Sequence, residues 1–386
     1  MALKLTETQR DLREAARKYA TSELRDLARE LEERNEPVSK EWRQRYADLG
    51  FLGINLPEEF GGLGLGHFEA LLVLEEFAKV SCATAFPVFE SATGPVRTVV
   101  EFGSETLKKR IVPRVVSGEI VVAVSMSEPA AGTALTDLTT TARITGDEIV
   151  INGQKSWCSG GGHADAYIVY CRLSRDTGAA GIGAVLVEAG TSGLSFGQPE
   201  QLMGLRGVGS SDIYLDEVRV PVDNLIVPAG GFSKLMHAFS LERCGNATMS
   251  LAVASAALDD ATAYVSERRQ FGKPIVEFQA VQLKLAEMAM QVEAARALVW
   301  DAAINADCDL PDPAESSIAK CFANEICREV ASAGMQLMGA YGYSKEFAME
   351  QRLRDAFAWG IAGGTIDIQK VNIAAALVGR RFNQRG

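Results

Sequence analysis

The chain has 386 residues, is 47% hydrophobic and 23% charged, and carries a net charge of −11. That length predicts two or three domains, and the composition predicts a soluble globular protein with large cores. The acidic balance, with no basic run, argues against nucleic acid as a partner.

Met1-Ala2-Leu3-Lys4-Leu5 leads straight into a polar helical pattern, so no signal peptide is expected. No apolar run approaches the roughly 18 residues needed to span a bilayer. A cytoplasmic protein is expected, or a matrix one if a transit peptide has been removed. Residues 5–50 read as helical, with Thr6 and Thr8 as N-cap candidates and Pro37 as a breaker. Gly61 to Gly66 is glycine-rich but follows no buried strand, so it reads as a loop between helices. Texture changes near residue 120. Val121 to Met126, Thr139 to Ile144, Glu148 to Ile151, Ala166 to Arg172, Ile182 to Val187 and Ile213 to Val220 read as short strands. Thr145-Gly146-Asp147 marks a hairpin. Strands at this spacing suggest a β-barrel or sandwich, and no βαβ alternation supports a dinucleotide-binding sheet. After Gly230-Gly231 the pattern is helical. Phe278, Val281, Leu285, Met288, Val292, Ala295 and Val299 form a stripe at steps of three and four, which predicts a long helix in a bundle core or a subunit contact. The expected class is α+β: an N-terminal helical domain (1–120), a middle β-barrel or sandwich domain (121–230) and a C-terminal four-helix bundle (231–386).

The seven cysteines, at 82, 158, 171, 244, 308, 321 and 327, include no C-x-x-C pair. No disulfide framework or structural zinc is expected. His67, His163 and His237 stand apart from one another, so no metal site is expected either.

Met126-Ser127-Glu128-Pro129-Ala130-Ala131-Gly132-Thr133, Asn152-Gly153-Gln154-Lys155-Ser156-Trp157-Cys158-Ser159, Asp216 to Pro221, Arg268 to Lys273 and Gln336 to Tyr343 follow one another at characteristic intervals. Their order and spacing resemble the acyl-CoA dehydrogenase family over nearly the whole chain. The resemblance implies FAD, an acyl-CoA thioester substrate, an electron-transferring flavoprotein as oxidant and a homotetramer. It implies that Met126 and Ser127 bind the pyrimidine edge of the flavin, that Trp157 packs on the isoalloxazine and that the Ser159 hydroxyl reaches N5. It also implies that Arg268, Gln270, Phe271, Gln336 and Gly339 reach a neighbouring subunit's FAD, that Thr365 lies near the FAD phosphates, and that Thr133 meets the CoA arm.

The chemistry needs three groups. A carboxylate takes the weakly acidic α proton of the thioester. Fixed donors hold the charge that develops on the carbonyl oxygen. A flavin accepts the β hydride. Most family members carry their glutamate just before a Gly-Thr pair. This chain has Gly363 there, within Trp359-Gly360-Ile361-Ala362-Gly363-Gly364-Thr365. Glycine lacks the carboxylate but keeps the amide, so half of the oxyanion hole persists. Isovaleryl-CoA and long-chain dehydrogenases place the base on an earlier helix, before an arginine. Ser240-Leu241-Glu242-Arg243 stands at the matching place, with 24 residues between Arg243 and Arg268. Glu242 is therefore the expected base, with Arg243 either organising the site or pairing with an ion. Glu90 occupies a pocket-floor position, either limiting chain length or forming a polar wall. Ala362 replaces a common tyrosine, which suits a short branched or bulky acyl group. No arginine lies between Cys82 and Glu90 to hold a distal carboxylate. Thr133-Ala134 stands for the usual Ser-Asp, and Asp367 for a common Gln or Glu. Two other readings remain. One is a desulfinase-like member cleaving another bond; those enzymes share Ala-Gly-Gly-Thr but lack a glutamate at position 242. The other is a subunit of a heteromeric dehydrogenase.

Overall fold

A computed structural model describes residues 4–380 and 382. The expectations placed on Met1 to Leu3 and on residues 381 and 383–386 lie outside the described residues. Helix α1 (Glu7–Arg34) starts at Thr6, whose hydroxyl accepts from the Gln9 N–H while the Gln9 side chain accepts from the Thr6 N–H. This reciprocal cap satisfies two otherwise orphaned groups. Thr8, the other candidate, lies inside the helix. Asn35 at φ 54° ends α1, and Pro37 precedes α2 (Lys40–Asp48). The Gly61 to Gly66 segment is a loop leading into α3 (His67–Val80). Then come α4 (Cys82–Ala92), α5 (Val96–Phe102) and α6 (Glu105–Val116).

The middle region is one mixed sheet of β1 (Val122–Ser125), β2 (Thr141–Thr145), β3 (Glu148–Ser159), β4 (Ala166–Arg172), β5 (Ile182–Glu188), β6 (Leu194–Phe196), β7 (Ser210–Pro221) and β8 (Leu225–Val227). The order is β6-β7-β3-β2-β4-β5-β8, with β1 pairing parallel to β4. Thr145 pairs with Glu148 across the expected hairpin, and Gly146 takes the positive φ (62°) that the turn requires. Strands β6 and β8 were not expected; three residues are too few to show alternation. Strand β4 is buried on both faces because separate apolar clusters cover the two sides of the sheet, one holding Ile168 and Tyr170, the other Tyr167 and Val169.

The rest is helical apart from a short antiparallel hairpin, Arg269–Gln270 with Lys273–Pro274: α7 (Phe232–Glu267), α8 (Gln279–Ala306), α9 (Pro313–Met338), α10 (Ala340–Tyr343), α11 (Met349–Trp359) and α12 (Ile366–Val378). Helix α9 packs against α7, α8, α11 and α12. On α8, Met288, Val292, Ala295 and Val299 are buried, whereas Val281 and Leu285 are only partly covered. Helices of the N-terminal segment share one apolar core with the C-terminal ones, so that Leu74 and Phe77 of α3 join Met249 and Ala252 of α7. Leu74, Phe77 and Met249 each contribute about 1.5–3 kcal/mol on leaving water. The α7 helix has 22 buried residues among its 36. Charged side chains on it are therefore costly unless paired and hydrogen-bonded.

Candidate active site

Strand β3 builds a flat wall at its C-terminal end. The register against β7 slips between Lys155 and Cys158, and a bulge of this kind re-aims a side chain. Trp157, at φ 59°, is turned outward and left 64% exposed, and Ser159 is also exposed. Beneath them Lys155 is fully buried. Its ammonium donates to Glu128 Oε1 at 2.9 Å and to the Met126 carbonyl at 3.0 Å. Glu128 also accepts from the Thr139 N–H and hydroxyl and from the Thr140 N–H. These partners hold its carboxyl down, to about 2, against the opposing effect of burial. The ion pair pins the Met126 to Glu128 segment to β3, and the Ser156 N–H donates to the Ser127 carbonyl at 2.9 Å. An uncovered indole, with Ser159 exposed two residues on and Ser127 bonded to the adjoining Ser156, offers a stacking face with polar neighbours. That donor set fits a flavin, which presents a planar apolar ring with hydrogen-bonding edges.

The second half of the site lies on α7. Phe239, Glu242, Arg243 and Asn246 are spaced three or four apart and share a helix face. The loop between α11 and α12 covers that face. Asn246 Nδ2 donates to the carbonyls of Trp359 (3.2 Å) and Ala362 (3.4 Å), and a Cβ placed on Gly363 meets the Phe239 ring at 3.4 Å. Glu242 thus sits between two residues that touch the Gly363 loop. Burial raises its carboxyl to about 8, against the opposing pull of Arg243 and Lys320. Arg243 is buried and reaches the Ser240 hydroxyl at 3.1 Å, while its Nε has no partner among the described residues. A group at that pH can hold or release a proton near neutrality, as a general base requires.

Helix α4 supplies Glu90. Close approach of α4 to α7 depends on Gly245, where a Cβ would overlap Thr93 Oγ1 and meet the Phe89 ring at 3.0 Å. Phe89 in turn packs on Trp359, whose Nε1 donates to Cys82 Sγ at 3.4 Å. Glu90 is buried and accepts no hydrogen bond from the described residues; Arg43, Glu242 and Asp165 are its charged neighbours. Burial pushes its carboxyl well above the usual range. Its carboxyl lies 3.8 Å from a Cβ built on Gly160, directly after the Trp157–Ser159 wall. Glu90, Glu242, Arg243, Ala362 and Gly363 therefore converge, next to Trp157 and Ser159.

The remaining expected residues lie apart. Arg268, Gln270 and Phe271 are exposed on the turn after α7, Phe271 to 93%. Arg268 stacks over Tyr341 at 5.9 Å, which places it beside the exposed Gly339 and the end of α9 that carries Gln336. None of these contacts Trp157, Ser127 or Ser159 among the described residues. Thr365 caps α12 through a hydroxyl that accepts from the Ile368 N–H. Thr133 is exposed on the loop before β2. Lys320 was missed. It is fully buried on α9, with its ammonium against the Gly363 loop. Ser316, Lys320 and Asn324 recur at four-residue steps on a stripe of small residues, and that polar line on a buried face was the available signal. No group of three or more metal-ligating side chains occurs among the described residues, and no described helix is long and apolar enough to cross a membrane.

Comparison with known proteins matches this architecture. Models of the N-terminal, middle and C-terminal domains of acyl-CoA dehydrogenase match residues 6–119, 123–218 and 229–378. A 3-sulfinopropanoyl-CoA desulfinase from Paraburkholderia xenovorans is 35% identical over 388 residues, covering 99% of this chain and 98% of that protein. Subunit CarC of the caffeyl-CoA reductase-Etf complex from Acetobacterium woodii is 35% identical, covering 97% and 99%. Butyryl-CoA dehydrogenase from Megasphaera elsdenii superposes with a TM-score of 0.94 at 32% identity, covering 98% of this chain and all of that one. The chain belongs to the acyl-CoA dehydrogenase family and is an FAD-dependent oxidoreductase acting on acyl-CoA.

Proposed function

We propose that this enzyme introduces an α,β double bond into a short branched or bulky acyl-CoA, with Glu242 as the base. The observation that carries this reading is the half-buried carboxyl of Glu242. It lies on the α7 face covered by the Gly363 loop, and its proton affinity is raised to about 8. Glu242 takes the α proton, and the Gly363 N–H holds the thioester oxygen as charge moves onto it. Arg243 and Lys320 favour the ionised base. FAD, bound against Trp157, Ser127 and Ser159, supplies the acceptor for the β hydride. The small side chain of Ala362 leaves room beside the α and β carbons, and the similarity to a caffeyl-CoA reductase subunit is in keeping with a bulky acyl group. The same relative supports an electron-transferring flavoprotein as the partner that reoxidises the flavin. A homotetramer fits the exposed Arg268, Gln270, Phe271, Gln336 and Gly339 surface, which has no cofactor wall of its own. A cytoplasmic location is retained as part of this reading.

The desulfinase similarity supports a second reading, loss of a sulfinate group from a 3-sulfinopropanoyl thioester. Glu242, a glutamate that the desulfinase-like members lack, favours desaturation over that reading. Mixing the anaerobic holoenzyme with a panel of acyl-CoA thioesters separates the two. Flavin bleaching fastest with branched or ring-bearing saturated acyl groups supports desaturation. Turnover of 3-sulfinopropanoyl-CoA without bleaching by any saturated thioester would contradict it.

A further inference from the structure

Lys320 has no place in the sequence motifs, yet its surroundings are unusual. Its Nζ lies 2.8 Å from the Gly364 carbonyl, 2.9 Å from that of Ala362, 3.3 Å from that of Trp359 and 3.3 Å from Asn324 Oδ1. It forms no ion pair among the described residues. Four neutral oxygens thus surround a fully buried cation whose three hydrogens all have acceptors. Asn324 is held in turn by Asn246 Oδ1 at 2.9 Å and Ser250 Oγ at 2.7 Å. Burial and the neighbouring Arg243 push the ammonium down to about 7 against the pull of Glu242, so a charge here, with no directly bonded counter-ion, is costly, and an apolar side chain would fill the same space without that cost. Packing alone does not account for it.

The direction of the bound carbonyls does. No described peptide bond is cis, and in a planar trans peptide the C=O and the following N–H point in opposite senses. The Ala362 carbonyl is drawn inward by Lys320 and Asn246, so the Gly363 N–H is turned outward. The Gly364 carbonyl is drawn inward by Lys320 and Gln369 Nε2 (3.1 Å), so the Thr365 N–H is turned outward too. Gly363 and Gly364, at φ 65° and 84°, permit this tight fold of the chain. Neither the Gly363 N–H nor the Thr365 N–H donates to a described residue. A cation on a carbonyl also polarises its peptide, which makes the opposite N–H a stronger donor.

We infer that Lys320 is a positioning residue: through the Ala362 carbonyl it aims and strengthens the Gly363 N–H as the donor to the substrate's thioester oxygen. This rests on the desaturation reading, because the oxygen in question is that of an acyl-CoA. The charge acts on the substrate through one peptide group, so its effect falls on the activated carbonyl and spares binding of the CoA arm.

The test uses the FAD-loaded enzyme and 3,3-dimethylbutyryl-CoA carrying carbon-13 at the thioester carbonyl. That ligand has no β hydrogen and is not oxidised. Infrared difference spectra report how far its carbonyl stretch moves to lower frequency on binding. In Lys320→Met the shift is expected to fall by at least about half, while the ligand's Kd stays within about threefold. With an oxidisable acyl-CoA, flavin reduction is expected to slow by about 10–100-fold, less than the roughly 100–1000-fold seen on removing an oxyanion donor outright, because the Gly363 N–H remains. Lys320→Gln, which keeps a neutral donor, is expected to fall between. An unchanged carbonyl shift in FAD-loaded Lys320→Met overturns the inference. So does a rate lost only in proportion to FAD lost, or loss of FAD by both variants, which makes the lysine a folding element. Wild type that is bleached by no saturated acyl-CoA refutes the desaturation reading instead, and the two failures are read separately.

Discussion

Replacing Glu242 by glutamine keeps the shape of the side chain and removes its capacity to take a proton. With the carboxyl raised to about 8, about one molecule in ten is ionised at pH 7. Wild-type kcat/KM should therefore rise about tenfold from pH 7 to the plateau above pH 8, because that ratio reports groups of the free enzyme. Glu242→Gln should lose about 100–10,000-fold, the usual span of a general base, together with the pH dependence. Stopped-flow flavin reduction in a single anaerobic turnover measures both. FAD content and acyl-CoA Kd, which should change little, serve as controls. Stability has its own sign. Folded Glu242 keeps its proton to about pH 8, whereas an unfolded glutamate loses it near 4.3. Wild type thus loses stability as pH rises through that window, and the variant should lose less. Adding Gly363→Glu to Glu242→Gln should restore part of the rate with straight-chain substrates. The new Cβ meets the Phe239 ring at 3.4 Å, an ordinary contact, but at φ 65°, which costs about 1–2 kcal/mol. Flavin reduction at the wild-type rate in Glu242→Gln refutes the reasoning.

Ala362→Tyr should impair a branched acyl-CoA more than a straight-chain one of similar length; equal loss removes the size argument. Arg268→Ala should weaken FAD retention and lower the oligomer mass seen by light scattering, since a charged group is removed from the surface assigned to a neighbour's cofactor. A monomer that keeps its FAD fully contradicts that assignment. Glu90→Gln should flatten the fall of Tm with rising pH. The buried carboxyl is held protonated well above its ordinary range, so folded protein binds a proton that unfolded chain releases above about pH 4.3. A Tm profile identical to wild type between pH 5 and 9 would show that Glu90 is solvated.

What could be read from the chain was whatever depends on local pattern. The Thr6 cap, the Gly146 hairpin and the latter half of the α8 stripe follow from turn chemistry and periodicity, and the structure places them as expected. The pairing of Glu242 with the Gly363 position was legible only as a coincidence of two motifs 121 positions apart; the covering loop that joins them depends on Asn246 and Phe239. The outward Trp157 was legible as a motif, but the bulge that turns it is a property of two strands in register. Lys320 lay beyond reach because a lone lysine in a helix ordinarily faces solvent. Only the packing of α9 under the loop shows that it does not. Glu90 meets Glu242 across elements distant in sequence, and no spacing rule anticipates that encounter.

The most direct test of the central claim is exchange of the α hydrogens of 3,3-dimethylbutyryl-CoA in deuterium oxide, followed by proton NMR. This thioester has α hydrogens but no β hydrogen, so removal of the α proton is observed without hydride transfer. Wild-type enzyme should wash deuterium into the α position, faster as pH rises toward 8, and Glu242→Gln loaded with FAD should exchange it at least about 100-fold more slowly. Exchange at the same rate in both proteins would contradict the assignment of Glu242 as the base.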